Sequence, residues 1–256
     1  MIDAIKIRRA FSKVASGYDK NSFLQQSIGV ELLDNLKLNK IYPKRVLDIG
    51  MGTGWLCEKI AKDFNVHTFG IDSAFGMALF AKSRLGLISI TAEAENLPFK
   101  NDSFDCIVSN LSFQWVFDLD KAFLEVKRVL REGGIFYFTC FTKGTLSELK
   151  KAFLFTLNNK KDLVFFDLPD EGKIRNALKK SGLKFARLIS RRKSEKFNDL
   201  FSILHWLKSV GANSVAEPVQ IKRNDFLKAN EYYRDNFKSN GEVYATFEVF
   251  EGCVVK

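Results

Sequence analysis

A glycine-rich segment at residues 46–54, VLDIGMGTG, constrains the fold of this chain more than any other feature. It follows a predicted strand, Arg45–Ile49, and precedes a predicted helix, Trp55–Phe64, which is the context that a ligand-binding glycine loop requires. Glycine lets the backbone turn tightly and approach a ligand, because no Cβ stands in the way. The spacing is GxGxG with Asp48 two residues before the first glycine, and Trp55 stands where a dinucleotide-binding loop has its third glycine. The segment predicts a ligand-binding loop that is not built for a pyrophosphate.

Strands and helices alternate after Pro43, which closes a helical N-terminal region. The patterns predict strands at 45–49, 66–71, 87–91, 104–109 and 135–141, and helices at 55–64, 75–84 (capped by Ser73) and 119–130. This alternation predicts an α/β fold with a doubly wound, mostly parallel sheet and helices on both of its faces.

The regular alternation of strands and helices ends after the fifth strand. Helical patterns at 146–157, 171–180, 199–210 and 225–237 are interrupted by a strand at 185–190 and followed by a last strand at 243–255. We expect one domain made of an N-terminal helical cap (1–42), a core (43–193), a helical insert (194–240) and a final strand (241–256).

Charge and cysteine usage narrow the function classes. The chain has a net charge of +10, and residues 143–196 hold 15 Lys/Arg against 6 Asp/Glu. One interpretation is a basic face that binds nucleic acid, an anionic membrane or an acidic protein. The other is a solvated surface without a partner. Arg8 and Arg9 stand where a signal peptide would be apolar, and no apolar run approaches the roughly 20 residues that span a bilayer. We expect a soluble, cytoplasmic protein. Its four cysteines form no CxxC pair, which favours buried reduced thiols and no metal site.

Polar residues follow three further predicted strands. Asp72 ends the second strand, at the position where a carboxylate accepts hydrogen bonds from ribose hydroxyls. Glu93 follows the third strand, and Ser109-Asn110-Leu111 ends the fourth, beside the switch point where such sheets bind ligands. We therefore expect these residues and the glycine loop to form one site.

From about residue 45 to 141, these motifs resemble class I S-adenosylmethionine-dependent methyltransferases. The resemblance implies a Rossmann-like fold, S-adenosylmethionine as cofactor and S-adenosylhomocysteine as product. It places Asp48 and the loop at the methionine part, Asp72 at the ribose, Glu93 at the adenine amino group and the SNL segment under the transferable methyl group. The family usually has Gly-Asp where this chain has Ala92-Glu93. The implied cofactor-binding residues are Asp48, Gly50, Gly52, Gly54, Asp72, Ser73, Glu93, Ala94, Asn110 and Leu111.

The segment SNLSFQW at 109–115 argues against several methyltransferase chemistries. DNA amino-methyltransferases have Asp/Asn-Pro-Pro-Tyr/Phe here, cytosine-C5 enzymes need a cysteine beside a proline, and arginine methyltransferases need two glutamates near this position. Residues 109–118 contain no glutamate, and none of the four cysteines precedes or follows proline.

Four patches resemble the malonyl-[acyl-carrier protein] O-methyltransferases of biotin synthesis: FSKVASGYD at 11–19, SNLSFQW at 109–115, GTLSEL at 144–149 and LKSVGA at 207–212. The resemblance implies methyl transfer to the free carboxylate of malonyl-acyl carrier protein, giving the methyl ester that primes biotin (pimeloyl) synthesis. A carboxyl group with a pKa near 4 is already ionised at neutral pH, so no general base is needed. The residues that we expect to shape the substrate cavity are Tyr18, Gln114, Trp115 and Lys208.

Two other functions stay open at this point. One is a small-molecule methyltransferase of the ubiquinone/menaquinone C-methylating kind, which shares the cofactor motifs. The other is a nucleic-acid-associated protein with a vestigial cofactor site, against which the intact Asp48, Asp72 and glycines argue. We expect the basic stretch to recognise an acidic acyl carrier protein, not nucleic acid or a membrane. We also expect a lysine or arginine of the insert or of the N-terminal helix near the malonyl carboxylate, and Lys13 and Lys208 are among the candidates.

Overall fold

The computed structural model describes residues 4–86, 88–157, 168–212, 221–239 and 241–256, and within them it contains ten α-helices and eight strands. The helices are α1 (Ala4–Val14), α2 (Tyr18–Asn21), α3 (Phe23–Leu38), α4 (Trp55–Phe64), α5 (Phe75–Leu85), α6 (Leu119–Val129), α7 (Ser147–Thr156), α8 (Glu171–Ser181), α9 (Leu200–Ser209) and α10 (Arg223–Asn236). The strands are β1 (Arg45–Ile49), β2 (His67–Asp72), β3 (Ile88–Thr91), β4 (Phe104–Asn110), β5 (Leu130–Phe141), β6 (Lys184–Phe197), β7 (Lys238–Ser239) and β8 (Glu242–Val255). None of the described helices combines the length and the apolar character needed to cross a membrane.

The strands form one sheet in the order β3-β2-β1-β4-β5-β8-β6, and β7 pairs with β8. The first five strands are parallel, whereas β8 runs antiparallel to both β5 and β6. The chain builds outward from β1 to β3 and then returns to place β4 on the other side of β1. The carboxyl ends of β1 and β4 therefore flank the switch point of the sheet, where ligands bind in such folds. The predicted mostly parallel α/β sheet is confirmed.

Successive residues of the central strands are buried on opposite faces of the sheet. On β1, Val46 belongs to the apolar cluster that contains Leu32 and Leu36 of α3, whereas Leu47 belongs to the cluster that contains Phe123 of α6 and Phe136. A third apolar cluster joins α3, α7, α9, α10 and β8 above the carboxyl ends of the strands. Because helices cover both faces, the sheet holds the loops at the strand ends in fixed positions.

Two predicted boundaries are wrong for the same reason, namely pairing that the local pattern does not reveal. The fifth strand begins at Leu130 and not at 135, because Leu130 pairs with Phe104 ahead of a register shift. The strand predicted at 185–190 continues to Phe197, where it pairs with Val243. As an edge strand exposed to water, β6 carries the charged sequence RRKSEK, which hides its strand character.

Other predictions can be compared with the structure residue by residue. Ser73 does not cap α5, because Ala74 holds the N-cap position and the Asp72 carboxylate accepts the Ala74 N–H instead. All four cysteines are free thiols, and Cys253 is the one that is not fully buried. Leu87 of the predicted third strand, together with residues 213–220 and 240 of the predicted insert, lies outside the described residues.

Candidate active site

A cavity of about 850 Å³, partly open to solvent, lies over the carboxyl ends of β1, β2 and β4 and beneath α1. Eight of the ten residues predicted to bind cofactor line it: Gly50, Gly52, Asp72, Ser73, Glu93, Ala94, Asn110 and Leu111. Asp48 lines a smaller adjoining pocket, which shares Tyr18, Gly50, Gly52 and Asn110 with the large cavity. Gly54 does not line the large cavity and instead occupies the N-cap of α4 in the left-handed region, with a φ of 80°.

The glycine loop is tied to the end of the neighbouring strand. The N–H groups of Gly50 and Met51 both donate to the Ile71 carbonyl, at 2.8 and 3.0 Å. Gly50 has a φ of 75°, and a Cβ added there would lie 1.9 Å from Ser112 Oγ. Glycine is therefore required at this position for two reasons, the backbone conformation and the close approach of the Ser112 side chain.

The Asp72 carboxylate joins the loop to α5. One of its oxygens accepts the Gly52 N–H at 2.9 Å and the other accepts the Ala74 N–H at 2.7 Å. Burial raises the pKa of this carboxyl to about 6. Each carboxylate oxygen has a second lone pair, so Asp72 still offers acceptors to a ligand in the cavity.

Asp48 holds the clearest sign that a ligand completes the site. Its Oδ2 is 3.5 Å from the Cys57 thiol, while its Oδ1 is buried and has no hydrogen-bond partner among the described residues. Burial, above all, raises the pKa of the Asp48 carboxyl to about 7, with Asp72 adding to the effect. A buried unpaired acceptor is costly. The arrangement fits a ligand that brings hydrogen-bond donors or positive charge to the glycine loop.

The helix α1 closes the cavity from above through an ion pair that the sequence did not suggest. Arg8 of α1 donates to the Glu93 carboxylate, and both side chains line the cavity. Farther along, the Gly76 N–H donates to Ser12 Oγ at 3.1 Å, and a Cβ at Gly76 would lie only 2.6 Å from the Ser12 carbonyl oxygen. The absence of a side chain at Gly76 therefore lets α1 pack directly on the start of α5.

The segment at the end of β4 is fixed by its own side chains. Asn110 donates through Nδ2 to the Gln25 carbonyl at 2.8 Å and accepts the Thr139 hydroxyl at 2.8 Å. Leu111 follows with a φ of 52°, a left-handed conformation that is unfavourable for leucine. Its N–H donates to Thr139, whose carbonyl and hydroxyl oxygens both lie at 3.0 Å. Backbone strain of this kind concentrates at functional sites.

A second cavity, of about 510 Å³, adjoins the first and shares four walls with it: Phe11, Tyr18, Leu111 and Trp115. Its other walls are mostly apolar, and they come from the ends of β4 and β5, from α9 and from β8. Gln114 lines it and is held in place, since its Nε2 donates to the Leu111 carbonyl at 2.6 Å and its Oε1 accepts the Phe141 N–H at 3.3 Å. Three of the four predicted substrate-positioning residues, Tyr18, Gln114 and Trp115, thus lie around this cavity.

The fourth, Lys208, does not. The buried stripe of α9 consists of Leu200, Ile203, Trp206 and Leu207, and it leaves Lys208 exposed and outside both cavities. Lys13 is exposed as well. Among the residues that the structure describes, the walls of the second cavity include no lysine or arginine. Of the described residues that line either cavity, Arg8 is the one lysine or arginine; it lines the first cavity and pairs with Glu93.

Within the described part of the basic stretch at 143–196, the charges of β6 are divided between the two faces of the sheet. On β6, Arg191 and Lys193 turn toward α3 and pair with Glu31, whereas Arg192 points to Glu248 at 3.7 Å. Alternate residues of a strand face opposite sides of the sheet, so the cluster read from sequence is divided. Lys160 and Lys161 lie outside the described residues.

Comparisons with known proteins agree with this geometry. A methyltransferase-domain family model matches residues 47–138. The malonyl-[acyl-carrier protein] O-methyltransferase of Geobacter sulfurreducens is 34% identical over 86% of this chain and 85% of its own length. A biotin biosynthesis bifunctional protein of Cellvibrio japonicus is 31% identical over 84% of this chain and 42% of its own length. Geranyl diphosphate C-methyltransferase of Streptomyces coelicolor, solved with S-adenosylhomocysteine, has the same fold, with a TM-score of 0.53 and 16% identity over 90% of this chain and 79% of that one.

Proposed function

Since the chain belongs to the malonyl-[acyl-carrier protein] O-methyltransferase family, we propose that it methylates the free carboxylate of malonyl-acyl carrier protein, with S-adenosylmethionine as the methyl donor. The product is the malonyl methyl ester that primes biotin synthesis. The observation that carries this proposal is the meeting of the two cavities at Tyr18, Leu111 and Trp115. One cavity has the polar groups that suit a nucleoside and an amino acid, and the other has the apolar walls that suit an acyl group.

The described residues fit the cofactor. Asp72 offers carboxylate lone pairs at the position for ribose hydroxyls, and Gly50 and Gly52 let the backbone approach the methionine part without a Cβ in the way. The unpaired Asp48 Oδ1 beside the loop suits an ammonium or other donor. Glu93 and Ala94 line the same cavity and would contact the adenine, and Arg8 pairs with Glu93. When bound, S-adenosylmethionine supplies an electrophilic methyl group to this site.

The protein's own residues have no proton to remove from the nucleophile. A carboxylate with an ordinary pKa is ionised at neutral pH, so the site has to align it and keep water away. Burial raises the pKa of Tyr18 far above its ordinary value. Its hydroxyl therefore stays protonated and serves as a hydrogen-bond donor at the junction of the cavities, not as a base. Trp115, packed edge-on against Phe11 at 5.6 Å, forms the adjacent wall.

The carrier protein is expected to approach from the side of α7. Leu146, directly before α7, lines the second cavity, and the exposed Lys150 and Lys151 follow one turn later on that helix. An acidic carrier that docks on these lysines would bring its acyl group to the cavity mouth. Because the basic residues of β6 are divided between two faces, α7 supports the docking role better than β6 does.

One assay tests the proposed function. The protein is incubated with methyl-labelled S-adenosylmethionine and, separately, with malonyl-carrier, malonyl-coenzyme A, acetyl-carrier or RNA. We expect base-labile label on the malonyl-carrier, and none on acetyl-carrier or RNA. Label on RNA, or alkali-stable label on a small molecule, would reject the carboxyl O-methyltransferase function.

A further inference from the structure

Among the described walls of the second cavity, Gln25 carries a buried polar atom without a hydrogen-bond partner. Gln25, on the first turn of α3, lines both this cavity and the smaller pocket that contains Asp48. Its carboxamide oxygen Oε1 is buried and has no hydrogen-bond partner among the described residues. Buried polar atoms in folded proteins nearly always have a partner, so an unpaired one points to a ligand.

Other polar side chains of the same walls are engaged by the protein. Both ends of the Gln114 carboxamide are bonded to backbone, and the Thr145 hydroxyl donates to the Glu248 carbonyl at 3.2 Å and accepts its N–H at 3.0 Å. The indole N–H of Trp206 donates to the Asn21 carbonyl at 2.8 Å. Each of these groups has a hydrogen-bond partner in the protein, whereas Gln25 Oε1 has none among the described residues.

The backbone of Gln25 is held in place by the end of β4. Its carbonyl accepts Asn110 Nδ2 at 2.8 Å, at the end of β4. Gly29, one turn later on α3, lets the helix come close, because a Cβ there would lie 3.1 Å from Asn110 Nδ2 and 2.9 Å from the Trp55 ring. The backbone of Gln25 is therefore bonded to the segment that faces the cofactor cavity, and its side chain extends toward the substrate cavity.

From these contacts we propose, on the basis of the function proposed above, that the Gln25 carboxamide binds the carboxylate that becomes methylated. The unpaired atom Oε1 is an acceptor, and a carboxylate also only accepts hydrogen bonds. The terminal torsion of glutamine is broad and roughly two-fold, so a half-turn exchanges Oε1 and Nε2. That half-turn places the NH₂ group, a donor, where it can bind the anion. A neutral donor suits this chemistry. A bidentate arginine would hold the carboxylate tightly in the ground state and withdraw charge from the attacking oxygen. The described walls of this cavity lack lysine and arginine, which agrees with recognition by an uncharged amide.

The test compares two ligands that differ only in the carboxylate. Binding of malonyl-carrier and acetyl-carrier is measured in the presence of S-adenosylhomocysteine, so that no turnover occurs, for the wild-type protein and for Gln25→Met and Gln25→Glu. Methionine keeps the length of the side chain and removes its hydrogen bonds, and glutamate keeps its shape and adds a like charge. We expect Gln25→Met to weaken malonyl-carrier binding roughly 10- to 100-fold, the range of a hydrogen bond to a charged group. Gln25→Glu should weaken it more, and acetyl-carrier binding should change less than about twofold in both variants.

Gln26→Met is the matched control on the same helix. The Gln26 amide bonds the Asp19 carbonyl at 2.7 Å and Ser22 Oγ at 3.0 Å, so its loss disturbs local structure without touching the unpaired group. A structural effect of this kind should change both carriers equally. If Gln25→Met also changes both carriers equally, or changes neither, Gln25 does not bind the carboxylate. A wild-type protein that fails to methylate malonyl-carrier refutes the proposed function, whereas equal losses in variants of an active enzyme refute only the role of Gln25.

Discussion

The carboxylate of Asp72, at the end of β2, accepts the Gly52 N–H at 2.9 Å and so fixes the glycine loop that follows β1. The same carboxylate accepts the Ala74 N–H at the start of α5. Two loops that would both touch a cofactor therefore share one side chain. Loss of that side chain should affect the cofactor site before it affects the fold.

Asp72→Ala should weaken binding of S-adenosylhomocysteine by about 1.5–3 kcal/mol, because a charged acceptor for ribose is lost and the loop loses its anchor. Isothermal titration calorimetry measures this change. Asp63→Ala is the control, since Asp63 pairs with Lys37 at the surface and its loss should leave affinity unchanged. Unaltered affinity in Asp72→Ala would disprove the ribose role.

The pH dependence of stability follows from the two raised carboxyl pKa values, about 7 for Asp48 and about 6 for Asp72. Both lie above the values of the unfolded chain, so the folded protein binds these protons more tightly. Stability of the ligand-free protein should therefore fall as pH rises from about 4 to about 7 through these two groups. Urea unfolding of the wild-type protein and of Asp48→Asn across this range separates the contribution of Asp48, which should be missing from the variant.

Cofactor affinity should change with pH in the opposite direction. A sulfonium and an ammonium group favour ionised carboxylates, so binding should strengthen between about pH 5 and 8 and should release protons. Calorimetry in buffers of different ionisation enthalpy counts the released protons. Asp48→Asn should release fewer, and equal release by both proteins would show that Asp48 does not face the bound ligand.

Gly76→Ala should displace α1 from the cofactor cavity. The new Cβ would meet the Ser12 backbone at 2.6–2.8 Å, a contact that cannot be relieved by turning a side chain. We expect weaker cofactor affinity and faster dissociation in stopped-flow fluorescence. Gly17→Ala is the matched control, because nothing lies within 4 Å of its added Cβ. Identical behaviour of the two variants would mean that α1 does not cover the bound cofactor.

Tyr18→Phe should lower kcat by about 2- to 10-fold, the value of one neutral hydrogen bond, and should leave the pH dependence of kcat unchanged, since the hydroxyl stays protonated. Steady-state kinetics with malonyl-carrier from pH 6 to 9 provides both readouts. A limb of the wild-type pH profile that disappears in Tyr18→Phe would instead show that Tyr18 titrates during catalysis.

The site could be predicted from the sequence where polar or glycine residues directly follow a strand of the parallel sheet. The glycine loop, Asp72 and the SNL segment each follow a strand, and parallel strands bring their carboxyl ends to one edge, so their meeting could be predicted. Arg8 and Glu93 are 85 residues apart and are joined only because α1 folds over the sheet. Lys208 lies outside both cavities, since the position of a motif does not say which side of α9 faces inward. The role of Gln25 could not be predicted, because a buried atom without a hydrogen-bond partner results from packing and leaves no pattern in the sequence.

The order of the strands also governs how the protein can be made. The last strand, β8, lies between β5 and β6 and supplies the hydrogen-bond partners of both. During synthesis β6 therefore emerges from the ribosome as an unpaired edge, and it stays so until α9, α10 and β8 have followed. Such late, long-range pairing is slow and exposes the chain to aggregation. Premature termination anywhere before Glu242 should thus leave β5 and β6 without a common partner and yield a product for the cell's proteases, even though every residue of the cofactor cavity has been translated.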